Sequence, residues 1–189
     1  MILETHWFKN MKIQSISAEI LLYGRSSLQI LKSRLRPKTG VEDILNYRYI
    51  SNKLTTSGQP TAQELVLIKN LGFPTILNLE PSNASNALPD EQAIVTALGM
   101  EYVNIPVEWK NPTLDDFSQF CAVMNVHQDQ PIYVHCAMNM RVSVFVYLYR
   151  YLILGVPTSE AYQSVTTIWQ PNETWQEFIK TMIAALADV

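Results

Sequence analysis

Apolar and polar positions alternate along most of the chain in blocks that switch between the period of a strand and that of a helix. From Tyr49 to Leu54 the pattern suits a first strand, followed by the turn Ser57-Gly58-Gln59-Pro60. A helix is predicted from Thr61, because Thr61 and Glu64 form a capping box, Leu65, Ile68 and Leu71 share one face, and Gly72 closes the end. A strand at Thr75-Ile76-Leu77-Asn78-Leu79 precedes a polar loop through Asn86 and a helix from Pro89 to Leu98 that stops at Gly99. Tyr102 to Ile105 reads as the next strand, and Pro106 to Pro112 as a loop into a helix capped by Thr113 with Asp115 and Asp116 in its first turn. A last strand, Pro131 to His135, delivers the chain to Cys136, and a helix apolar on nearly every side runs to about Leu154. Two further helices are expected from Thr158 and from about Asn172. Short strands alternating with helices imply an α/β fold, a mostly parallel central sheet of four to five strands flanked by helices.

Composition narrows the class. The 189 residues are 48% hydrophobic and 16% charged, enough apolar surface for one well-buried globular domain. The apolar run from Val142 to Val156 is interrupted by Arg150 and is shorter than the roughly 20 residues that cross a bilayer, so no spanning segment is expected. Two cysteines, Cys121 and Cys136, are too few for a secreted disulfide framework and favour a reducing, cytoplasmic setting.

The net charge of −3 hides a split: residues 1–40 hold seven Lys/Arg against two Asp/Glu, residues 41–189 seven against fifteen. The chain therefore reads as a basic N-terminal extension, 1–40, and a main domain, 41–189, hinged at Arg36-Pro37-Lys38-Thr39-Gly40. For the extension, a solvated tail, a membrane-surface or partner helix, and a true start at Met11 all fit. An acidic main domain does not suit nucleic acid, whose binding leans on clustered cations, so any anion site must be built locally.

Such a site is offered by Val134-His135-Cys136-Ala137-Met138-Asn139-Met140-Arg141-Val142-Ser143. A strand ends at a cysteine, a short loop follows, and a helix opens with an arginine. The amides of Ala137, Met138, Asn139 and Met140 and the helix N-terminus would favour negative charge in one concavity. The same field lowers a thiol pKa, typically into the range of about 3.5 to 7.5, and makes Cys136 a candidate nucleophile. Arg141 supplies a planar fork for two phosphate oxygens, Ser143 a hydroxyl for the sulfur, and His135 a structural partner that shapes the loop.

This stretch resembles the cysteine-dependent protein tyrosine and dual-specificity phosphatases, whose loop reads His-Cys, five residues, Arg, then Ser or Thr. Further matches, from about Asp43 to Phe178, include Ser57-Gly58-Gln59-Pro60, Asn86-Ala87-Leu88-Pro89-Asp90-Glu91 and Ile105-Pro106-Val107, which look like a little-characterised bacterial phosphatase-like branch related to the phosphatase-like domain of some β-lactamase-like hydrolases. The resemblance implies the family's α/β phosphatase fold, a phosphocysteine intermediate, a phosphorylated protein or small molecule as substrate, and no cofactor or metal. His6, His127 and His135 likewise show no ligand-like spacing.

The chain departs from that pattern twice. Four residues, not five, separate Cys136 from Arg141. Either the loop is one residue shorter, or it keeps its length and the arginine has moved back by one. In the second case Asn139 stands where the family commonly has glycine, a position asparagine fills because it tolerates left-handed backbone. The family's general acid, an Asp on the loop after the third strand, is also missing: Trp109 matches its position, and Glu108 is the nearest candidate, ahead of Asp115 and Asp116. The leading expectation is hydrolysis of a phosphate monoester through a phosphocysteine. The alternatives are a silent anion-binding module and, behind it, sulfur transfer by a rhodanese-like loop. Cys121, on the apolar face with Phe117 and Met124, reads as core.

Overall fold

A computed structural model describes residues 40–186. The reading of the basic extension therefore lies, except for Gly40, outside the described residues.

After a single 3-10 turn at Val41–Asp43, five strands form one sheet: β1 (Arg48–Ser51), β2 (Leu54–Ser57), β3 (Thr75–Asn78), β4 (Glu101–Asn104) and β5 (Ile132–His135), in the order β1-β2-β5-β3-β4. The β2-β5, β5-β3 and β3-β4 pairs are parallel, and β1 joins the edge antiparallel. The α/β expectation is met. One detail differs: the single strand expected over Tyr49–Leu54 is a hairpin turning at Asn52-Lys53, and its second strand runs into the Ser57 turn. That strand, Leu-Thr-Thr-Ser, is buried at every position. Its polar composition hides it from a reading based on hydrophobicity, because what buries it is its place between β1 and β5.

The helices are α1 (Ala62–Asn70), α2 (Glu91–Ala97), α3 (Leu114–Val126), α4 (Met140–Leu148), the short α5 (Thr158–Ala161) and α6 (Gln163–Thr166), and α7 (Glu173–Leu186). Both sequence-predicted caps form: Thr61 with Glu64, and Thr113 with Asp116, each threonine accepting the amide three residues on while the carboxylate accepts from the cap backbone. Strand alternation divides the core between the two faces of the sheet. Ile76 and Tyr133 face one way, with Leu65 and Ile68 of α1 and Val95 of α2; Leu77, Ile132 and Val134 face the other, with α3, α4 and α7. Arg141 through Leu148 are all buried, so α4 is a central helix, and its continuation to Ile153 is a wider π-helical turn in place of the regular helix expected to Leu154.

Because β5 lies between β2 and β3, its C-terminal end opens at the middle of the sheet, the usual place for a ligand crevice in a parallel α/β sheet. Cys136 is the next residue.

Candidate active site

Residues 136–140 pass from β5 into α4 under the Ser57–Pro60 turn. The Cys136 amide donates to Ser57 O (3.4 Å), Gln59 N donates to Ala137 O (3.1 Å), and Gly58 pairs with Met138. A Cβ on Gly58 would stand 2.8 Å from Ala137 O, so the turn packs as closely as it does because residue 58 is glycine. Two asparagines tie the loop to the segment before β1. Asn139 is left-handed (φ 63°) and buried; its Nδ2 donates to Asn46 O (2.7 Å) and Thr56 Oγ1 (2.9 Å). Asn46, also left-handed at φ 53°, donates from Nδ2 to Met138 O (2.9 Å). Asn139 thus takes the glycine-like conformation that the second spacing alternative calls for.

The Cys136 side chain is completely buried. Desolvation pushes its thiol above the ordinary value, against the opposing pull of Arg141 and of the Val142 and Met138 amides, while Glu80 adds to the rise. The expected lowering is therefore not met: the thiolate-stabilising cradle is present, but burial and a nearby carboxylate outweigh it. Cys121, half-buried against the core, is pushed up to about 11 by burial.

Arg141 is buried as well. Its Nε donates to Val107 O (2.9 Å), its Nη1 to Glu80 Oε2 (2.5 Å), and its guanidinium carbon lies 5.3 Å from the centre of the Trp109 ring. The same Glu80 oxygen accepts from Ala137 N (2.9 Å). The Arg141 guanidinium and the Ala137 amide of the loop thus share one carboxylate oxygen of this chain.

Ser143, expected at the sulfur, donates from Oγ to Met140 O (2.7 Å) and accepts from Trp169 Nε1 (3.1 Å). The cause is local: Ser143 lies in the first turn of α4, where a hydroxyl bonds the carbonyl three residues back. Glu108 is exposed on the loop after β4, next to Val107, and the neighbouring Trp109 packs against Trp169 and Trp175. Asp116 is committed to the α3 cap, and Asp115 accepts from Gln119.

His135 is buried with its Nε2 3.0 Å from Glu91 Oε1. The Glu91 carboxylate also takes Gln59 Nε2 (2.8 Å), Asn78 Nδ2 (2.8 Å) and the Tyr102 hydroxyl (3.2 Å). Burial alone would raise its pKa, but His135 and the hydrogen bonds from His135, Gln59 and Tyr102 prevail and hold the carboxyl below its ordinary value. Asn78 then accepts Glu80 N at Oδ1 (2.7 Å), which links this buried network to Glu80 and Arg141.

Glu80, Glu91, Asn78, Asn46 and Tyr102 were absent from the sequence-predicted site. A signal for Glu80 existed: an acidic residue directly after a strand predicted to be parallel points to the ligand end of the sheet. Among the described residues no group of His, Cys, Asp and Glu is arranged to hold a metal, and no helix is long and apolar enough to cross a membrane.

A family model described as "DSP-PTPase phosphatase fused to NAD+ Kinase" matches residues 34–180. Among solved structures, a putative phosphatase from Shewanella putrefaciens is 32% identical, with 77% of this chain and 96% of that one covered and a TM-score of 0.70. TpbA of P. aeruginosa (17% identity, 76% and 91% covered, TM-score 0.60) and the core catalytic domain of the PP-IP phosphatase SIW14 of S. cerevisiae (14%, 77% and 93%, 0.61) share the fold. No curated protein matches the chain.

Proposed function

Because the chain belongs to the dual-specificity and protein tyrosine phosphatase family, we propose that it hydrolyses a phosphate monoester through Cys136. The observation that carries this is the convergence of Ala137 N and Arg141 Nη1 on one anionic oxygen, above a sulfur that receives the Met138 and Val142 amides. These donors suit a phosphoryl group, and the sulfur is at the end of the central strand where such a group would arrive.

The Cys136 thiol passes its proton to an oxygen of the incoming phosphate dianion and the sulfur attacks phosphorus, forming the S–P bond as the ester P–O bond breaks. Loop amides and Arg141 follow the charge on the phosphoryl oxygens, and the leaving oxygen takes a proton from Glu108, the carboxylic acid on the loop that anchors Arg141 through Val107 O. Water then attacks phosphorus, giving one proton back to the Glu108 carboxylate as the S–P bond breaks, and the sulfur recovers its proton from the phosphoryl group, so that the thiol and inorganic phosphate are returned. The substrate is a phosphorylated protein or small molecule. TpbA has been crystallised with phosphotyrosine, which makes an aryl phosphate a suitable first substrate.

A second reading, a silent anion-binding module, is favoured by the engagement of Arg141 with Glu80 and Val107 and by Trp109 at the acid position. Turnover of an aryl phosphate by wild type and Cys136→Ser separates the two. Loss of turnover in the variant is the expected result. Equal rates sink the enzyme reading, and vanadate binding without wild-type turnover supports the module.

A further inference from the structure

Glu80 begins the polar loop between β3 and α2, in which Ser82, Asn83 and Ser85 are exposed, yet its own side chain is turned inward and only 4% exposed. Its backbone is secured on both sides: the amide donates to Asn78 Oδ1 (2.7 Å) and the carbonyl accepts Asn104 Nδ2 (2.9 Å). Its carboxylate is held differently, by Ala137 N and Arg141 Nη1 on the one oxygen Oε2. A backbone amide and a guanidinium at the N-terminus of a buried helix are what a phosphoryl oxygen requires, and here an oxygen of the same valence and charge already takes them.

We propose that Glu80 is an internal ligand of the 136–141 loop, a carboxylate that holds the phosphoryl position and must leave it, or lose its charge, before a tetrahedral anion enters. This rests on reading the loop as an anion site, as above, and adds how that site is regulated. Two anions cannot share these donors in a buried setting without strong repulsion. Displacement can occur by rotation of the Glu80 side chain towards the exposed loop that it begins, with its backbone bonds kept. Neutralisation can occur by protonation. Burial raises the Glu80 pKa, Glu108 from the loop after β4 raises it further, and Arg141 of α4, the Ala137 amide and His135 of β5 oppose; the net direction is upward. Arg141 stays charged throughout, and the raised Cys136 thiol stays neutral below its ordinary pKa. Acidification therefore removes the internal competitor while the donors remain, and anion affinity rises as pH falls.

Sulfate is the probe, because it keeps its charge from mildly acid to neutral pH and is not a substrate, so its binding is read independently of turnover. Calorimetric titration of the full chain is expected to show Glu80→Gln binding sulfate about tenfold more tightly than wild type at neutral pH, a difference of about 1.4 kcal/mol. Wild-type affinity should rise on going from about pH 7.5 to about pH 5, and the variant should lose that dependence. Equal or weaker binding by Glu80→Gln would make Glu80 a strut that props Arg141, and overturns the proposal. So does a pH dependence retained in the variant, which would place its origin in a group other than Glu80. Should Glu80→Gln not fold, the wild-type series decides: sulfate affinity that is flat or falls with acidification rejects the internal ligand. Absence of turnover with sulfate behaving as expected would remove the enzyme reading and leave this one standing.

Discussion

Asn139 shows how one residue can serve backbone and side chain at once. Its left-handed φ of 63° costs an ordinary side chain about 1–2 kcal/mol, and its amide satisfies Asn46 O and Thr56 Oγ1 inside the protein. The two contributions separate in a pair of variants. Asn139→Gly keeps the backbone at ease and loses the hydrogen bonds, at a cost of about 1–3 kcal/mol; Asn139→Ala loses both and should lie about 1 kcal/mol lower again in denaturant unfolding. If the two variants unfold alike, the conformation contributes nothing and the amide everything. The backbone half of this was legible in the sequence, since Asn is among the few non-glycine residues at ease there. The side-chain half was not, because Asn46 and Thr56 are brought to it from 93 and 83 residues away. The same applies in part to Ser143 and Cys136: the turn of the hydroxyl to Met140 is local to the helix, but the Trp169 donor that it accepts from, the burial of the thiol and the Glu80 charge that it feels come from elsewhere in the chain, and no spacing near the loop reveals them.

Among the elements, those whose formation is decided by neighbours in sequence were the readable ones. The α1 and α3 caps are local chemistry, and each appears at the expected threonine. The β1-β2 hairpin was misread because β2 owes its burial to partners far along the chain. The Ser57–Pro60 turn lies between these cases. Its residues mark a turn, but its work is tertiary: it closes over the loop through Gln59 N to Ala137 O and the Gly58–Met138 pairing. Substituting Gly58→Ala tests this at the scale of the element. The new Cβ would meet Ala137 O at 2.8 Å and Leu45 O at 3.1 Å, both backbone atoms that yield only if the loop shifts. A destabilisation of about 1–3 kcal/mol is expected, as for overpacking elsewhere, together with weaker sulfate binding by the displaced loop. A variant of wild-type stability and affinity would mean that turn and loop move independently.

At the scale of the whole molecule, polar groups from β3, α2, β4 and the Gln59 turn converge on one side of the β5 end, around His135, and Glu91 is their hub. Asn86-Ala87-Leu88-Pro89-Asp90-Glu91 was visible as a family-like stretch, but its purpose was not, since a carboxylate at the start of a helix reads equally well as a solvated dipole partner. Burial beside His135 is what makes Glu91 structural, and it gives the fold a signature in acid. The folded-state pKa of Glu91 lies below the ordinary carboxylate value near 4.5, so its contribution is fully present above that value and is lost as pH falls through the lower one. Glu91→Gln leaves the buried donors Gln59 Nε2, Asn78 Nδ2 and the Tyr102 hydroxyl without a charged acceptor and should cost about 1–3 kcal/mol at neutral pH. In urea unfolding from neutral pH downward, the gap between wild type and Glu91→Gln should hold steady to about pH 5 and then narrow as wild-type Glu91 protonates. Glu80 works in the opposite sense, because its raised pKa adds stability that fades as pH rises, so the double comparison with Glu80→Gln separates the two carboxylates. A gap that is constant through the acid range would show that Glu91 holds the β5 end by shape and hydrogen bonding, with no contribution from its charge.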